Sequence, residues 1–211
     1  MSDTATLPAA LAADLDAAFE RAVLAYQGRL YGFALRLTGN RQDAEEVAQD
    51  AFVRAYRALQ RFESERIATL ALRPWLYQIA LNVARNRARG KRHRTVPLLV
   101  GEAANDAGQP TDGVPEPPDR ATEGPAEYAE RAGVGDTLAS LVARLPDRYR
   151  PAVILRHIEG LSYPETALVL GQPVGTVKAN VHRGTKLLRA GWIAQAREEG
   201  RDGRAGIAVV G

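Results

Sequence analysis

Apolar side chains recur at every third or fourth position along much of the chain, which is the spacing of one buried face on an α-helix. Between residues 19 and 37 the steps alternate between four and three residues, and Gly39 follows as the residue expected to end the helix. The stripe consists of Phe19, Val23, Tyr26, Leu30, Phe33 and Leu37. This pattern predicts a long amphipathic helix.

A second helix is predicted to begin directly afterwards, with Asn40 as its N-cap and Asp43 in its first turn. Its apolar stripe is Ala44, Val47, Ala48, Ala51, Phe52, Ala55 and Leu59. The opposite face carries Glu45, Glu46, Gln49, Asp50 and Arg54. The pattern alone leaves open whether this polar face is only solvated or binds a partner.

A loop is predicted over Glu63–Arg73, followed by a third helix with Pro74 in its first turn. The buried stripe of that helix is Leu76, Ile79, Ala80 and Val83. The helix then becomes basic without an intervening acid, through Arg85, Arg87, Arg89, Lys91, Arg92 and Arg94. With Asn82 and Asn86 beside it and Trp75 and Tyr77 upstream, this run indicates contact with phosphates and bases. Core packing is the favoured role for Trp75.

The C-terminal third of the chain predicts several short helices. Leu138, Leu141, Val142 and Leu145 form one stripe that Pro146 stops. Asp147 is expected to cap the next helix, which runs through Tyr149, Val153 and Ile154 to Gly160. Ser162 and Glu165 then form a Ser-x-x-Glu capping box at the start of a further short helix, which ends at Gly171.

After a turn at Gln172–Gly175, the last predicted helix points Val177, Val181 and Leu188 inward. Outside that stripe lie Lys178, Asn180, His182, Arg183 and Lys186. A short helix, a glycine turn and a basic second helix are typical of a helix-turn-helix, whose second helix enters the major groove. Any helical hairpin can imitate this pattern.

Charge divides the chain into three blocks. Residues 1–95 carry 15 Lys and Arg against 10 Asp and Glu, residues 96–136 carry 2 against 9, and residues 137–211 carry 11 against 6. This basic–acidic–basic order fits two ends that face nucleic acid, although ordinary solvated charge would give it too. The middle block is rich in Pro and Gly and poor in large apolar residues, which predicts an extended linker.

The expected fold class is therefore all-α, with two small helical domains, the second of them a helix-turn-helix. We expect these domains at 12–95 and 137–195, joined by a flexible acidic linker at 96–136. The tail at 196–211 matches no pattern with an assigned role.

Composition excludes several classes of function. The chain has no Cys, and its three His residues are too far apart in sequence for metal-ligand spacing. Neither domain offers a nucleophile–base pair or a carboxylate dyad, so we expect no catalytic residue, no metal and no cofactor. Acidic residues precede the first basic one, unlike in a signal peptide, and no apolar run reaches the length of a membrane span. We expect a soluble, cytoplasmic protein.

Two long stretches resemble a known family. LYGFALRLTGNRQDAEEVAQDAFVRAYRALQRF (30–62) and RPWLYQIALNVARNRARGKR (73–92) resemble region 2 of extracytoplasmic-function (ECF) sigma factors. ASLVARLPDRYRPAVILRHIEGLSYPETALVLGQPVGTVKANVHRGTKLLR (139–189) is similar to their region 4. The resemblance implies a dissociable, promoter-specific subunit of bacterial RNA polymerase, with polymerase core and promoter DNA as its partners and an anti-sigma factor as a possible third.

The resemblance also implies roles for individual residues. The core-polymerase face would be Asp43, Glu45, Glu46, Gln49, Asp50 and Arg54. The −10 element would be read and opened by Phe62, Glu63, Ser64, Glu65, Asn82, Arg85, Asn86 and Arg89. The −35 element would be read by Thr176, Lys178, Ala179, Asn180, His182, Arg183 and Lys186. Among these, we expect base contacts from Asn180 and Arg183 and a phosphate contact from Lys186, while Tyr163 and Val177 are expected to pack.

The sequence departs from the family pattern in two places. The segment from Phe62 to Trp75 is about four residues longer than usual in the family, and Ala179-Asn180 stands where Ser-Arg is common. The main alternative is a helix-turn-helix regulator that binds DNA as a free protein. A third reading is an RNA-binding or scaffold protein that uses the basic run.

Overall fold

The computed structural model describes residues 3–94 and 137–207. The N-terminal part is helical throughout, with short connections. Its helices are α1 (Asp3–Ala13), α2 (Leu15–Thr38), α3 (Arg41–Leu59), α4 (Ser64–Ala68) and α5 (Leu72–Arg94). Helix α2 packs on α1, α3 and α5, and α3 also packs on α5. The long helices thus enclose one apolar core.

Local capping interactions set the boundary between α2 and α3 as the sequence predicts. Gly39 ends α2 in the left-handed conformation, with φ of 68°, and its backbone N–H donates to the Leu35 carbonyl. The Asn40 side chain accepts a hydrogen bond of 3.0 Å from the backbone N–H of Asp43. Both predicted caps are confirmed.

Two helices of this part were not predicted. Helix α1 precedes the expected domain start at residue 12, and it buries Leu7 and Leu11 against α2 and α4. Helix α4 lies within the segment predicted as a loop, Glu63–Arg73, and buries Ile67. The loop prediction was therefore wrong for residues 64–68, because Ile67 gives this short turn an apolar anchor in the core.

The C-terminal part begins with helix α6 (137–143). Helix α7 (Arg150–Val153) continues into one π-helical turn (Ile154–Ile158), a departure from the single α-helix expected there. Helices α8 (Tyr163–Leu170) and α9 (Val174–Ile207) follow. The predicted capping box is confirmed: Glu165 N–H donates to Ser162 Oγ at 3.3 Å and Ser162 N–H to Glu165 Oε2 at 2.7 Å. Hydrogen bonds that the side chain and the backbone N–H of Ser162 donate to the Glu165 carboxylate lower the pKa of that carboxyl.

The described parts are all-helical, as predicted. The predicted linker at 96–136 lies outside the described residues. Helix α9 runs past the expected domain end at residue 195 and ends at Ile207. Residues 196–207, most of the predicted tail, therefore belong to this helix. Of the helices in the described parts, none is long and apolar enough to cross a lipid bilayer.

The two parts of the chain also contact each other. Helix α5 packs against α8, and their buried apolar side chains belong to one continuous cluster that runs from Leu7 to Val181. Sequence periodicity predicts the buried face of each helix but carries no signal for this contact between the parts.

Candidate nucleic-acid interface

The start of α9 presents polar side chains on the far side from the core. Gly171, with φ of 63°, makes the turn after α8, and the buried Val177 and Val181 fix which face of α9 points inward. Of the residues expected to read the −35 element, those exposed are Thr176, Lys178, His182, Arg183 and Lys186. Ala179 and Asn180 are half-buried. The arrangement has the form of a helix-turn-helix with a free second helix.

A residue of the turn holds one of these side chains in place. Asn180 Nδ2 donates a hydrogen bond of 3.2 Å to the Oε1 atom of Gln172. The amide of Asn180 keeps a second N–H and its carbonyl oxygen, which is the pair that an adenine edge requires. The sequence indicates only that Gln172 lies in the turn, because its contact with Asn180 depends on how the turn folds back on α9.

Tyr163 combines packing with an electrostatic contact. Its half-buried ring lies 4.9 Å from Arg156 Cζ and 5.7 Å from Lys178 Nζ. Cations over an aromatic face are attracted to its negative quadrupole. Tyr163 therefore restrains Lys178, one of the exposed −35 candidates, as well as packing at the start of α8.

A second exposed polar face, in addition to the one on α9, lies on helix α5. Asn82, Asn86 and Arg89 are exposed, and Arg85 beside them is half-buried. Because they follow one another at steps of three or four residues, these side chains share one face. Burial, together with the neighbouring Arg89, lowers the pKa of Arg85. The side chains of Lys91, Arg92 and Arg94 lie outside the described residues.

An aromatic cluster lies at the beginning of that face. The half-buried Phe62 ring is 5.9 Å from the ring of Trp75, and Arg66 Cζ lies 3.7 Å from its centre. The neighbouring −10 candidates Glu63, Ser64 and Glu65 are exposed. At 1.5 Å per residue, Asn86 lies about 16 Å along α5 from Trp75. The two groups of −10 candidates therefore mark a long track and do not form one compact pocket.

Tyr77 lies on another side of α5. Its side chain is 0% exposed and packs edge-on against Phe33, with 5.1 Å between the ring centres. The prediction that Tyr77 supports the basic run in binding bases is wrong for this arrangement. Burial and the hydrogen bond that its hydroxyl donates to Glu159 raise the pKa of Tyr77.

Part of the polar face of α3 forms ion pairs with another helix of the same chain. Glu45, Gln49 and Arg54 are exposed, and Asp50 is half-buried. Arg87 of α5 pairs with Glu46 and lies 4.0 Å from the Asp43 carboxylate. Because Arg87 bridges two carboxylates on α3, this acidic face is tied to the helix that carries Asn82 and Arg89.

Two helical units, one with a helix-turn-helix and the other with a basic helix face, are typical of a DNA-binding protein. Each of these two helical units matches a known protein family. The family Sigma-70 region 2 matches residues 22–94, and the family Sigma-70, region 4 matches residues 136–188. Together these matches cover more than half of the chain.

Characterised relatives agree with this assignment. The chain is 36% identical over 168 residues to the RNA polymerase sigma-H factor of Pseudomonas aeruginosa, covering 79% of this chain and 81% of that protein. It is 33% identical over 174 residues to the ECF RNA polymerase sigma factor SigW of Bacillus subtilis, covering 82% and 87%. With the ECF RNA polymerase sigma-E factor of Escherichia coli K12 it shares 32% identity over 173 residues, covering 79% and 82%.

Solved structures show the same fold. CnrH, in complex with the cytosolic domain of CnrY, matches with a TM-score of 0.58 and 26% identity over 90% of this chain and 97% of that one. The sigma factor RpoE of Bartonella quintana, solved with the anti-sigma factor NepR, matches with a TM-score of 0.57 and 22% identity over 82% and 96%.

The chain therefore belongs to the extracytoplasmic-function (ECF) group of the sigma-70 family. It is a sigma factor that directs RNA polymerase to promoters, and as such it is a non-enzymatic subunit. The expectation from the sequence is confirmed at this level.

Proposed function

We propose that the two described parts divide the work of promoter recognition. A region 2 domain, at 12–95, docks on polymerase through the polar face of α3 and reads the −10 element along α5. A region 4 domain, at 137–195, reads the −35 element with the start of α9. The observation that carries this proposal is the pair of exposed polar faces on α5 and α9, each opposite a buried apolar stripe.

The −35 assignment is supported by the exposure of the polar residues on α9. Arg183 presents a guanidinium that can bind guanine in a bidentate manner, and Asn180 keeps the amide atoms that can bind adenine. Lys186 lies farther along the helix and is proposed to contact phosphate. The residues proposed to read the bases of the −35 element are Thr176, Lys178, Ala179, Asn180, His182 and Arg183.

The −10 assignment has to account for strand opening without ATP. Extracting a base costs about a few kcal/mol, which new contacts must offset. The track from Phe62 to Arg89 offers exposed amides at Asn82 and Asn86 for a base edge and guanidinium groups for phosphates. The exposed carboxylates of Glu63 and Glu65 border the track at its aromatic end.

The remaining proposals follow from the sequence. The acidic segment 96–136 is proposed to be a flexible linker. Because its negative charge resembles that of nucleic acid, it suits a polymerase channel that binds nucleic acid. The protein is proposed to act in the cytoplasm, at the nucleoid when bound to polymerase. An anti-sigma factor is proposed as a further partner that holds the protein inactive.

Run-off transcription tests the proposal. The purified protein is added to sigma-free core polymerase with fragmented genomic DNA, and the 5′ ends of the transcripts are sequenced. Discrete starts that share spaced −35 and −10 elements are the expected result. Tight sequence-specific binding by the free protein without any transcript would instead favour the helix-turn-helix regulator.

Replacing Arg183 by Ala is expected to weaken promoter use by about 1–3 kcal/mol, or about 5- to 150-fold, at promoters with the preferred base. Because a bidentate contact is lost, preference should relax at one −35 base pair. Initiation from a promoter library with every −35 substitution measures this. Lys186→Ala is the matched control, and it should weaken all sequences alike. A uniform loss for Arg183→Ala as well would make Arg183 a phosphate contact.

Replacing Gln172 by Ala is expected to reduce the preference at one other −35 base pair about fivefold, because a hydrogen bond worth about 1 kcal/mol no longer orients Asn180. The position should be the same one that Asn180→Ala affects. Gln172→Glu, which keeps an acceptor oxygen, should restore most of the preference. An equal loss at every position would contradict a positioning role, and the same promoter library measures it.

A further inference from the structure

Helix α4 carries residues at the start of the track of −10 candidates. Its N-cap Glu63 and the first-turn residues Ser64 and Glu65 are three of these candidates. The segment from Phe62 to Trp75, which contains α4, is longer than usual in the family. Part of this longer segment is therefore folded as a helix beside the site that is proposed to bind the opened DNA strand.

The position of α4 depends on α1. Helix α4 has five residues, and a helix this short is not stable on its own in water. It packs against α1, and Leu7 and Leu11 of α1 belong to the same buried cluster as Ile67 of α4. At the C-terminal end of α4, the Thr69 hydroxyl donates to two of its backbone carbonyls, at 3.1 Å and 3.3 Å. Helix α4 is therefore held by α1 on its apolar side and by Thr69 at its end.

Arg66 is the cation of α4. It is exposed, and its Cζ atom lies 3.7 Å from the centre of the Phe62 ring. The Trp75 ring lies against Phe62 in turn, with 5.9 Å between the ring centres. The attraction between a guanidinium and the face of an aromatic ring restrains the side chain that carries the charge. Phe62 and Trp75 therefore form a platform that orients Arg66 at the start of the track.

The charge of Arg66 is not neutralised within the described parts of the chain. No ion pair joins it to a carboxylate there, although Glu63 and Glu65 are close to it in sequence. The N–H groups of a guanidinium lie at its edge, so a ring on its face leaves them free to bind phosphate oxygens. The two exposed carboxylates by themselves would repel a DNA phosphate at this end of the track. Arg66, one turn along from Glu63, supplies a positive charge that offsets them.

We propose that Arg66 is a further −10 contact, which binds a phosphate of the opened DNA strand, and that α1 positions it through α4. Neither Arg66 nor α1 is among the candidates that the sequence pattern or the family resemblance indicates. Because a phosphate carries no sequence information, this contact adds affinity for the opened strand and no preference for a base. The inference rests on the proposed role of the region 2 domain in binding the −10 element.

Binding of a single-stranded oligonucleotide tests the contact. Holoenzyme, assembled from the full chain and core polymerase, is titrated at several salt concentrations with a fluorescent oligonucleotide that carries the non-template −10 sequence found by run-off transcription. Arg66→Ala should weaken binding about fivefold or more at low salt and lower the salt slope by about 0.7, the contribution of one phosphate on single-stranded DNA. Arg66→Lys keeps the charge and should keep the slope. Arg29→Ala, the same charge change on an exposed site of α2, is the matched control and should change neither quantity.

The same titration tests the positioning role of α1. Leu7→Ala combined with Leu11→Ala should reproduce both changes, and adding Arg66→Ala should cause little further loss, because the phosphate contact is already absent. Circular dichroism checks that this variant is folded. Thr69→Val, which loosens the end of α4 without opening a cavity in the core, should cause a smaller change of the same kind. A loss of affinity at an unchanged salt slope in these variants would mean that α1 only stabilises the domain.

Asn86→Ala separates this inference from the proposed function. If Asn86→Ala weakens binding of the oligonucleotide while Arg66→Ala changes neither the affinity nor the slope, Arg66 is not a −10 contact and the inference is overturned. If holoenzyme with the unmodified chain does not prefer this strand to an unrelated one, the proposed role of the region 2 domain is wrong, and the inference fails with it.

Discussion

Reversing the charge of Glu46 and Asp50 to Lys is expected to lower the affinity for core polymerase at least 30-fold. The two carboxylates lie one turn apart on the polar face of α3, which is proposed to dock on polymerase. Loss of a charged anchor at the centre of an interface costs about 2 kcal/mol or more, and reversal adds repulsion. Fluorescence titration of labelled protein with core polymerase measures the affinity.

Controls separate docking from folding. Glu46 pairs with Arg87, so Glu46→Lys also removes an internal contact. Asp50→Lys is therefore measured alone as well, and Arg87→Ala breaks the same pair without placing a positive charge on α3. Glu20→Lys makes the same charge change on an exposed site of α2 and should leave affinity within about twofold. Unchanged affinity for Asp50→Lys would show that α3 does not form the docking face.

Replacing Gly184 by Ala is expected to destabilise the region 4 domain by about 1–3 kcal/mol. A Cβ at this position would lie 2.4 Å from Val153 Cγ2 and 3.4 Å from Tyr149 Cβ. Val153 is β-branched, and its stiff side chain cannot turn away easily. For a domain of this size, the unfolding temperature of the region 4 domain should fall by roughly 4–8 °C per kcal/mol, which calorimetry measures.

Gly28 provides the matched control, since it also lies inside a helix but a Cβ there would meet nothing within 4 Å. Gly28→Ala should leave stability unchanged or raise it by up to about 1 kcal/mol, because Ala favours the helix. The comparison isolates the close approach of α9 to α7 from helix propensity. Equal stability of Gly184→Ala and the unmodified protein would mean that the two helices can move apart freely.

Features encoded by neighbouring residues could be predicted from the sequence. The N-cap at Asn40, the capping box of Ser162 and Glu165, and the left-handed Gly39 and Gly171 all form where the pattern placed them. Each depends on groups within a few residues of one another, so the local sequence carries the whole signal. The resemblance in two separate stretches added the family, which the comparisons confirm.

Some local elements were missed because their signal is weak. Helix α1 lies in an Ala-rich stretch with Pro8 inside it, and only Leu7 and Leu11 supply large buried side chains. Helix α4 has five residues, which is too short for a periodic pattern. Both helices are stabilised by packing against each other and the core, a contribution that propensity does not include.

Apart from α1 and α4, the sequence by itself determined the described helices and their buried faces, together with the helix-turn-helix and the membership of the sigma-70 family. Only the tertiary structure decided which faces meet: Tyr77 with Glu159, Arg87 with Glu46, Gln172 with Asn180. Two of these contacts join residues that are far apart in the sequence: Tyr77 and Glu159 are separated by 82 positions, and Arg87 and Glu46 by 41. A period of 3.6 residues fixes which side of a helix is apolar, but the partner of that side depends on the packing of all the helices together.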